Sequence, residues 1–161
     1  DNSFVFKLKQ LYPLILVLSY IFLASILVNH NTLNGKDFML DFMGLFFIVF
    51  SFFKFLDLKG FTNSFKMYDP IAKKSIIYRW IYPFIELFIG ILFLMRFNID
   101  FALTMTLIAL CTTNFGIIKA LHNKESIKCA CLGTALNLPM TEATLIENSI
   151  MIIMSILMLI N

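Results

Sequence analysis

Two cysteines one residue apart, Cys129 and Cys131, lie in the stretch Lys128-Cys129-Ala130-Cys131-Leu132-Gly133, within one of the few polar gaps of an otherwise apolar chain. Thiolates at this spacing can clamp a soft metal ion or exchange electrons with another thiol pair. Lys128 and nearby Lys124 favour thiolate over thiol, and so suit Hg(II), Cu(I) or Zn(II) as an ion to be held. Two thiolates satisfy a linear soft ion. Tetrahedral zinc needs further ligands, for which His122 or a partner protein is available.

Other chemistry-bearing groups lie inside apolar runs. Glu86, in Pro83-Phe84-Ile85-Glu86-Leu87, and Glu147, near the C-terminus, are acids at positions where an ionised carboxylate is expensive without a partner. Each is a candidate for charge compensation of a passing cation. Lys54 either snorkels to the headgroups or forms a structural ion pair with Glu86. Met140, Thr144, Glu147, Met151, Met154 and Met158 recur every three or four residues and share one helix face. Thioethers are soft ligands, so Met140 and Met151 are candidate metal contacts, although methionine also packs irregular helix contacts well. Cys111, within an apolar run, reads as a small packed residue, and His30 as a solvated loop histidine.

These groups need an apolar frame. The chain is 60% hydrophobic and 14% charged, with 19 phenylalanines, and its mean hydropathy is +0.86. That exceeds what a soluble domain of this length can bury, which excludes a water-soluble enzyme and places the protein in a bilayer. No nucleic-acid partner is indicated. Five spans are predicted in a single membrane domain, at about 13–29, 38–57, 78–96, 101–121 and 141–160. Between the second and third lies a basic, aromatic segment, 58–77, in which Phe61, Phe65 and Tyr68 have the spacing of an interfacial amphipathic helix. Asp69-Pro70 should end that helix. Tyr78, Trp80 and Tyr82 suit the membrane interface. The C-x-C loop, 122–139, precedes the last span, where Thr141 and Glu142 suit a helix start. The start at Asp1, without an initiator Met, reads as that of a trimmed or processed chain, with no cleavable signal pattern.

Lysine and arginine are divided unequally among the gaps between spans, eleven on one side and two on the other. The positive-inside rule puts the N-terminus and the C-x-C loop in the cytoplasm of a bacterial inner membrane and the C-terminus in the periplasm. Cytoplasmic thiols are kept reduced, which weighs against a structural Cys129–Cys131 disulfide.

Phe50-Ser51-Phe52-Phe53-Lys54, Gly60-Phe61 through Met67-Tyr68-Asp69, Tyr82-Pro83-Phe84-Ile85-Glu86-Leu87, and Cys129-Ala130-Cys131-Leu132-Gly133 through Leu138-Pro139-Met140-Thr141 carry a family resemblance over nearly the whole chain. The sequence resembles the MauE/DoxX-like group of redox-associated membrane proteins, particularly a Bacteroidetes branch associated with heavy-metal handling and similar to fused mercury transporters. The resemblance implies an all-α, DoxX-like four-helix bundle made of spans two to five, with one further transmembrane helix in front. It also implies a heavy-metal-associated C-x-x-C domain or metallochaperone as partner. The original MauE proteins are thought to assist maturation of a disulfide-rich periplasmic dehydrogenase.

The leading expectation is therefore transport of a soft cation, Hg(II) or Cu(I), through Cys129 and Cys131, without an organic cofactor and as a transporter rather than an enzyme. The first alternative is a MauE-type thiol–disulfide protein in which the same cysteines are redox-active. The second is an accessory subunit of a larger membrane complex; as assembly, a homo-oligomer or a membrane complex is expected.

Overall fold

The computed structural model describes Val5, Lys9 and residues 12–32, 34–122 and 142–160. Those residues form seven helices: α1 (Tyr12–Val28), α2 (Gly35–Leu56), α3 (Leu58–Tyr68), α4 (Pro70–Lys74), α5 (Ile76–Met95), α6 (Ile99–His122) and α7 (Glu142–Ile160). Among them, α2, α5 and the Ile99–Ala120 part of α6 are long and apolar enough to cross a membrane, whereas α1 and the Glu147–Ile160 part of α7 are shorter apolar helices.

Short polar side chains set the boundaries. Asn34 accepts from the Lys36 amide at the start of α2, and Asp57 from Gly60 at the start of α3. Asp69 accepts from Ile71 and Ala72 at α4, and Ser75 from Tyr78 at α5. Each cap satisfies amides that have no partner within their own helix. Asp69-Pro70 both stops α3 and starts α4, because proline disfavours α conformation in the residue before it yet suits a first helical turn.

Gly44 of α2 and Gly90 of α5 mark a close helix crossing. A Cβ on Gly90 would lie 2.9 Å from the Gly44 carbonyl oxygen and 2.8 Å from Ile48 Cγ1. Around this crossing, Met43, Phe46, Phe47 and Phe50 of α2 pack against Ile89, Leu92 and Phe93 of α5, with Leu103 and Leu110 of α6 and Met151 and Met158 of α7 completing the cluster. In a bilayer, close backbone approach and van der Waals contact hold helices together, since lipid is as apolar as leucine. Ile108, Cys111, Phe115 and Ile118 form an exposed stripe along the outside of α6. Cys111 is thus on an outer face instead of packed in a helix contact, because the helical period puts Leu110 and Asn114 inward and Cys111 outward.

At one end of the bundle, Arg96 closes α5 in a left-handed conformation, φ 58 and ψ 33. Its guanidinium donates to Asp41 Oδ1 at 2.8 Å and to the Phe93 carbonyl at 2.9 Å, and lies 3.5 Å from Asp37 Oδ1. Asn29 donates to the other Asp41 oxygen at 2.8 Å. The hydrogen bond to Asp41, with the charges of Asp41 and Asp37, holds the Arg96 proton more tightly than usual. This cluster ties α1, α2 and α5 together at the level of their connecting turns.

Candidate functional site

At the opposite half of the bundle, the chain direction aims two charges at each other. Side chains in an α-helix lean towards its N-terminus. Because α2 runs towards the α3–α4 end, Lys54 leans back into the bundle; because α5 starts at that end, Glu86 leans towards it. With a rise of about 1.5 Å per residue, the two Cα levels differ by about 9 Å measured from the Gly44–Gly90 crossing, and the opposed leans close that distance. Lys54 Nζ meets Glu86 Oε1 in a buried ion pair, the two residues being 5% and 3% exposed. Lys54 does not reach the headgroups, since its leaning direction is inward and Glu86 neutralises it there.

Aromatic rings enclose the pair. Lys54 Nζ lies 5.5 Å from the Phe61 ring centroid and 5.2 Å from that of Tyr82, distances at which ring faces attract a cation. Phe65 stacks on Phe61 and packs against Tyr82, with centroids 5.0 Å and 4.5 Å away. Phe61, Phe65 and Tyr68 are each at most 5% exposed. The expected interfacial helix is thus formed, but its aromatic face is turned into the bundle and not onto lipid, because Tyr78 and Tyr82 offer rings to stack on. Tyr78 and Tyr82 share one side of α5 while Trp80, 41% exposed, points away. The interfacial aromatic cluster expected of these three residues is accordingly divided by the helical period.

The α3–α4 junction comes close to α6 at Gly116, where a Cβ would sit 2.1 Å from the Tyr68 carbonyl oxygen and 3.2 Å from Pro70 Cδ. That approach buries Asp69 completely. Its Oδ1 accepts from the Ile71 and Ala72 amides, both at 2.9 Å, and its Oδ2 accepts from the Thr113 hydroxyl at 3.1 Å. Burial pushes the Asp69 carboxyl above its ordinary range, with these three hydrogen bonds acting in the opposite sense. Lys54, Tyr68, Tyr82, Glu86, Thr113 and Asn148 contribute to the lining of one cavity of ≈ 30 Å³. It is large enough for a water molecule, and its walls offer several polar partners.

A second cavity, ≈ 540 Å³, lies between α1, α2 and α7, lined by Ile15, Leu18, Phe22, Phe42, Phe46 and Met151 among others, with Ser19 and Glu147 as its polar members. Phe46 borders both cavities.

The sequence-derived site residues are therefore dispersed. Glu86 is engaged by Lys54; Glu147, 9% exposed, faces the apolar cavity; Met151 and Met158 are packed in the apolar core. His122 is exposed at the end of α6, and His30 is exposed with Nδ1 against the Leu27 carbonyl. Cys129, Cys131, Met140 and Thr141 lie outside the described residues, as does the 123–139 part of the C-x-C loop. Among the described residues, no three His, Cys, Asp or Glu side chains converge to hold a metal ion. The soft-cation path expected through Glu86, Glu147 and Met151 thus finds no support in their placement.

Asp69, Thr113 and Tyr82 were not legible as site residues in the sequence. Asp69 reads there as a helix stop and Thr113 as a small residue for helix packing; Gly116, three residues after Thr113, is the local hint that another backbone approaches α6.

Residues 14–161 match the family model described as Methylamine utilisation protein MauE. The chain belongs to the MauE family. Neither a curated relative nor a solved structure matches it. As a MauE-family membrane protein, it carries buried Lys54 on α2, Glu86 on α5, Thr113 on α6 and Asp69 at the α3–α4 junction, all within the matched region.

Proposed function

We propose that the chain is a MauE-type, redox-associated protein of the bacterial inner membrane that assists maturation of a periplasmic partner. Cys129 and Cys131 would be its thiol–disulfide pair. The observation that carries this reading is the match over residues 14–161 to the MauE family of methylamine utilisation. Five spans, the fifth being α7 and the added one α1, put the N-terminus and the C-x-C loop on the cytoplasmic side under the positive-inside rule. Closing Cys129 and Cys131 to a disulfide releases two electrons and two protons, which a second disulfide or a membrane quinone would have to accept as the oxidant.

The test is the thiol state of the full chain in growing cells, trapped by acid quench and alkylation. Cys129 and Cys131 are expected to be recovered partly oxidised, and Cys129→Ala or Cys131→Ala to accumulate a mixed disulfide with a partner. A pair recovered fully reduced under all growth conditions, with no mixed disulfide in either variant, overturns the reading.

A further inference from the structure

We propose that Lys73, Lys74 and Arg79 form a headgroup site for an anionic phospholipid at the boundary where α5 enters the bilayer. The site stands on the contacts and exposure of described residues and does not depend on the cysteines.

Arg79 is held in place by backbone. Helix α4 ends at Lys74, and the carbonyls of its last turn have no amide ahead of them within the helix. Arg79 Nε donates to the Ala72 carbonyl and Nη2 to the Lys73 carbonyl, the latter at 3.3 Å. The guanidinium therefore lies on the turn that carries Lys73 and Lys74, and it covers carbonyl oxygens that would otherwise repel an anion. A guanidinium has about five N–H donors in one fixed plane, and these two contacts leave the others to spare. With the ammonium groups of exposed Lys73 and Lys74, they suit a phosphodiester, whose free oxygens match a planar fork. Capping of α4 by Arg79 alone needs neither lysine.

No exposed acid competes for these cations among the described side chains at this end of the bundle. Asp57 caps α3, Asp69 is wholly buried, and Glu86 is buried against Lys54. Lys59, Lys66 and Lys119 are exposed at the same end and add to its positive field. Chain connectivity fixes the level of the site. Helix α5 is long and apolar enough to cross the membrane, and it opens at Ile76, two residues after Lys74. Two residues span at most about 7 Å, which ties both ammonium groups to the headgroup layer. Ile76, Ile77 and Trp80 are exposed on the first turns of α5. A soluble acidic protein on the cations would leave these apolar side chains uncovered. A lipid meets both sets, with its phosphate on the cations and its acyl chains beside Ile76, Ile77 and Trp80.

The test is native mass spectrometry of the full chain, released from a neutral detergent and titrated with phosphatidylglycerol or phosphatidylcholine of the same acyl chains. The anionic lipid is expected to bind about a hundredfold more tightly, at about fivefold for each of the three cations. Lys73→Gln with Lys74→Gln, at two exposed positions, should leave about fivefold of that preference. Lys36→Gln removes an exposed cation at the start of α2, at the opposite end of the bundle, and should leave the preference intact. Arg79→Lys keeps the charge and loses the planar fork, so it should also weaken binding of the anionic lipid. Should that variant lose helix content by circular dichroism, the lysine pair decides alone. Inorganic phosphate and a glutamate-rich peptide, each added in excess at constant ionic strength, should not displace the lipid. Equal binding of the two lipids, an unchanged preference without Lys73 and Lys74, an equal loss in Lys36→Gln, or displacement by phosphate or by the peptide overturns the proposal.

Discussion

Gly44 and Gly90 lie back to back where α2 crosses α5, so that a Cβ on either would come within 3.1 Å or less of the other's carbonyl oxygen. Their lack of side chains lets two helix backbones touch, and that contact sets the level at which Lys54 and Glu86 meet.

The three close-packed glycines should not be equally sensitive. A Cβ on Gly116 meets the Tyr68 carbonyl at 2.1 Å, one on Gly90 meets a carbonyl at 2.9 Å, and one on Gly44 mainly meets the movable tip of Leu94 at 2.8–2.9 Å. Overpacking costs about 1–3 kcal/mol. Thermal unfolding in a fixed detergent should rank Gly116→Ala as most destabilised and Gly44→Ala as least, and the opposite order would show that the α3–α4 junction can move freely away from α6.

Breaking the Lys54–Glu86 pair from one side strands a buried charge. Lys54→Gln or Glu86→Gln alone is expected to cost about 3–5 kcal/mol, and the neutral double replacement Lys54→Gln with Glu86→Gln distinctly less than the sum. Additive losses in the double-mutant cycle would mean that the two groups do not sense each other.

Arg96 combines backbone strain with a useful side chain. A left-handed non-glycine residue costs about 1–2 kcal/mol, while Asp41, 7% exposed, depends on the guanidinium and on Asn29 for its hydrogen bonds. Arg96→Ala should destabilise more than Arg96→Gly, by about 1 kcal/mol, with both less stable than the parent. An Arg96→Gly variant more stable than the parent would show that the ion pair contributes nothing.

Asp69 supplies a pH dependence with a defined sign. Burial raises its carboxyl above the ordinary 3.8, so the folded chain binds that proton more tightly than the unfolded chain. Its contribution therefore shifts in favour of the fold as pH falls through the raised value towards 3.8, and changes no further below that. Measured by denaturant unfolding, parent stability minus that of Asp69→Asn should grow as pH is lowered through this window. A difference that shrinks would mean that the hydrogen bonds from Ile71, Ala72 and Thr113 outweigh burial.

The all-helical, membrane-embedded character of the protein and its family were determined by the sequence alone, because apolar run length, capping residues such as Ser75 and Asp69, and family motifs are all local in the chain. The resemblance motifs also contained Lys54 and Glu86. What only the tertiary structure decided is which of several polar residues share a compartment. Glu86 and Glu147 look alike in sequence, yet one is clasped by Lys54 and the other faces an apolar cavity. Lys54 meets Glu86 because antiparallel helices lean their side chains towards each other across a glycine crossing, and Asp69 is buried because Gly116 admits a backbone turn. Both outcomes depend on the relative level and approach of helices distant in the chain, which no local pattern of residues specifies.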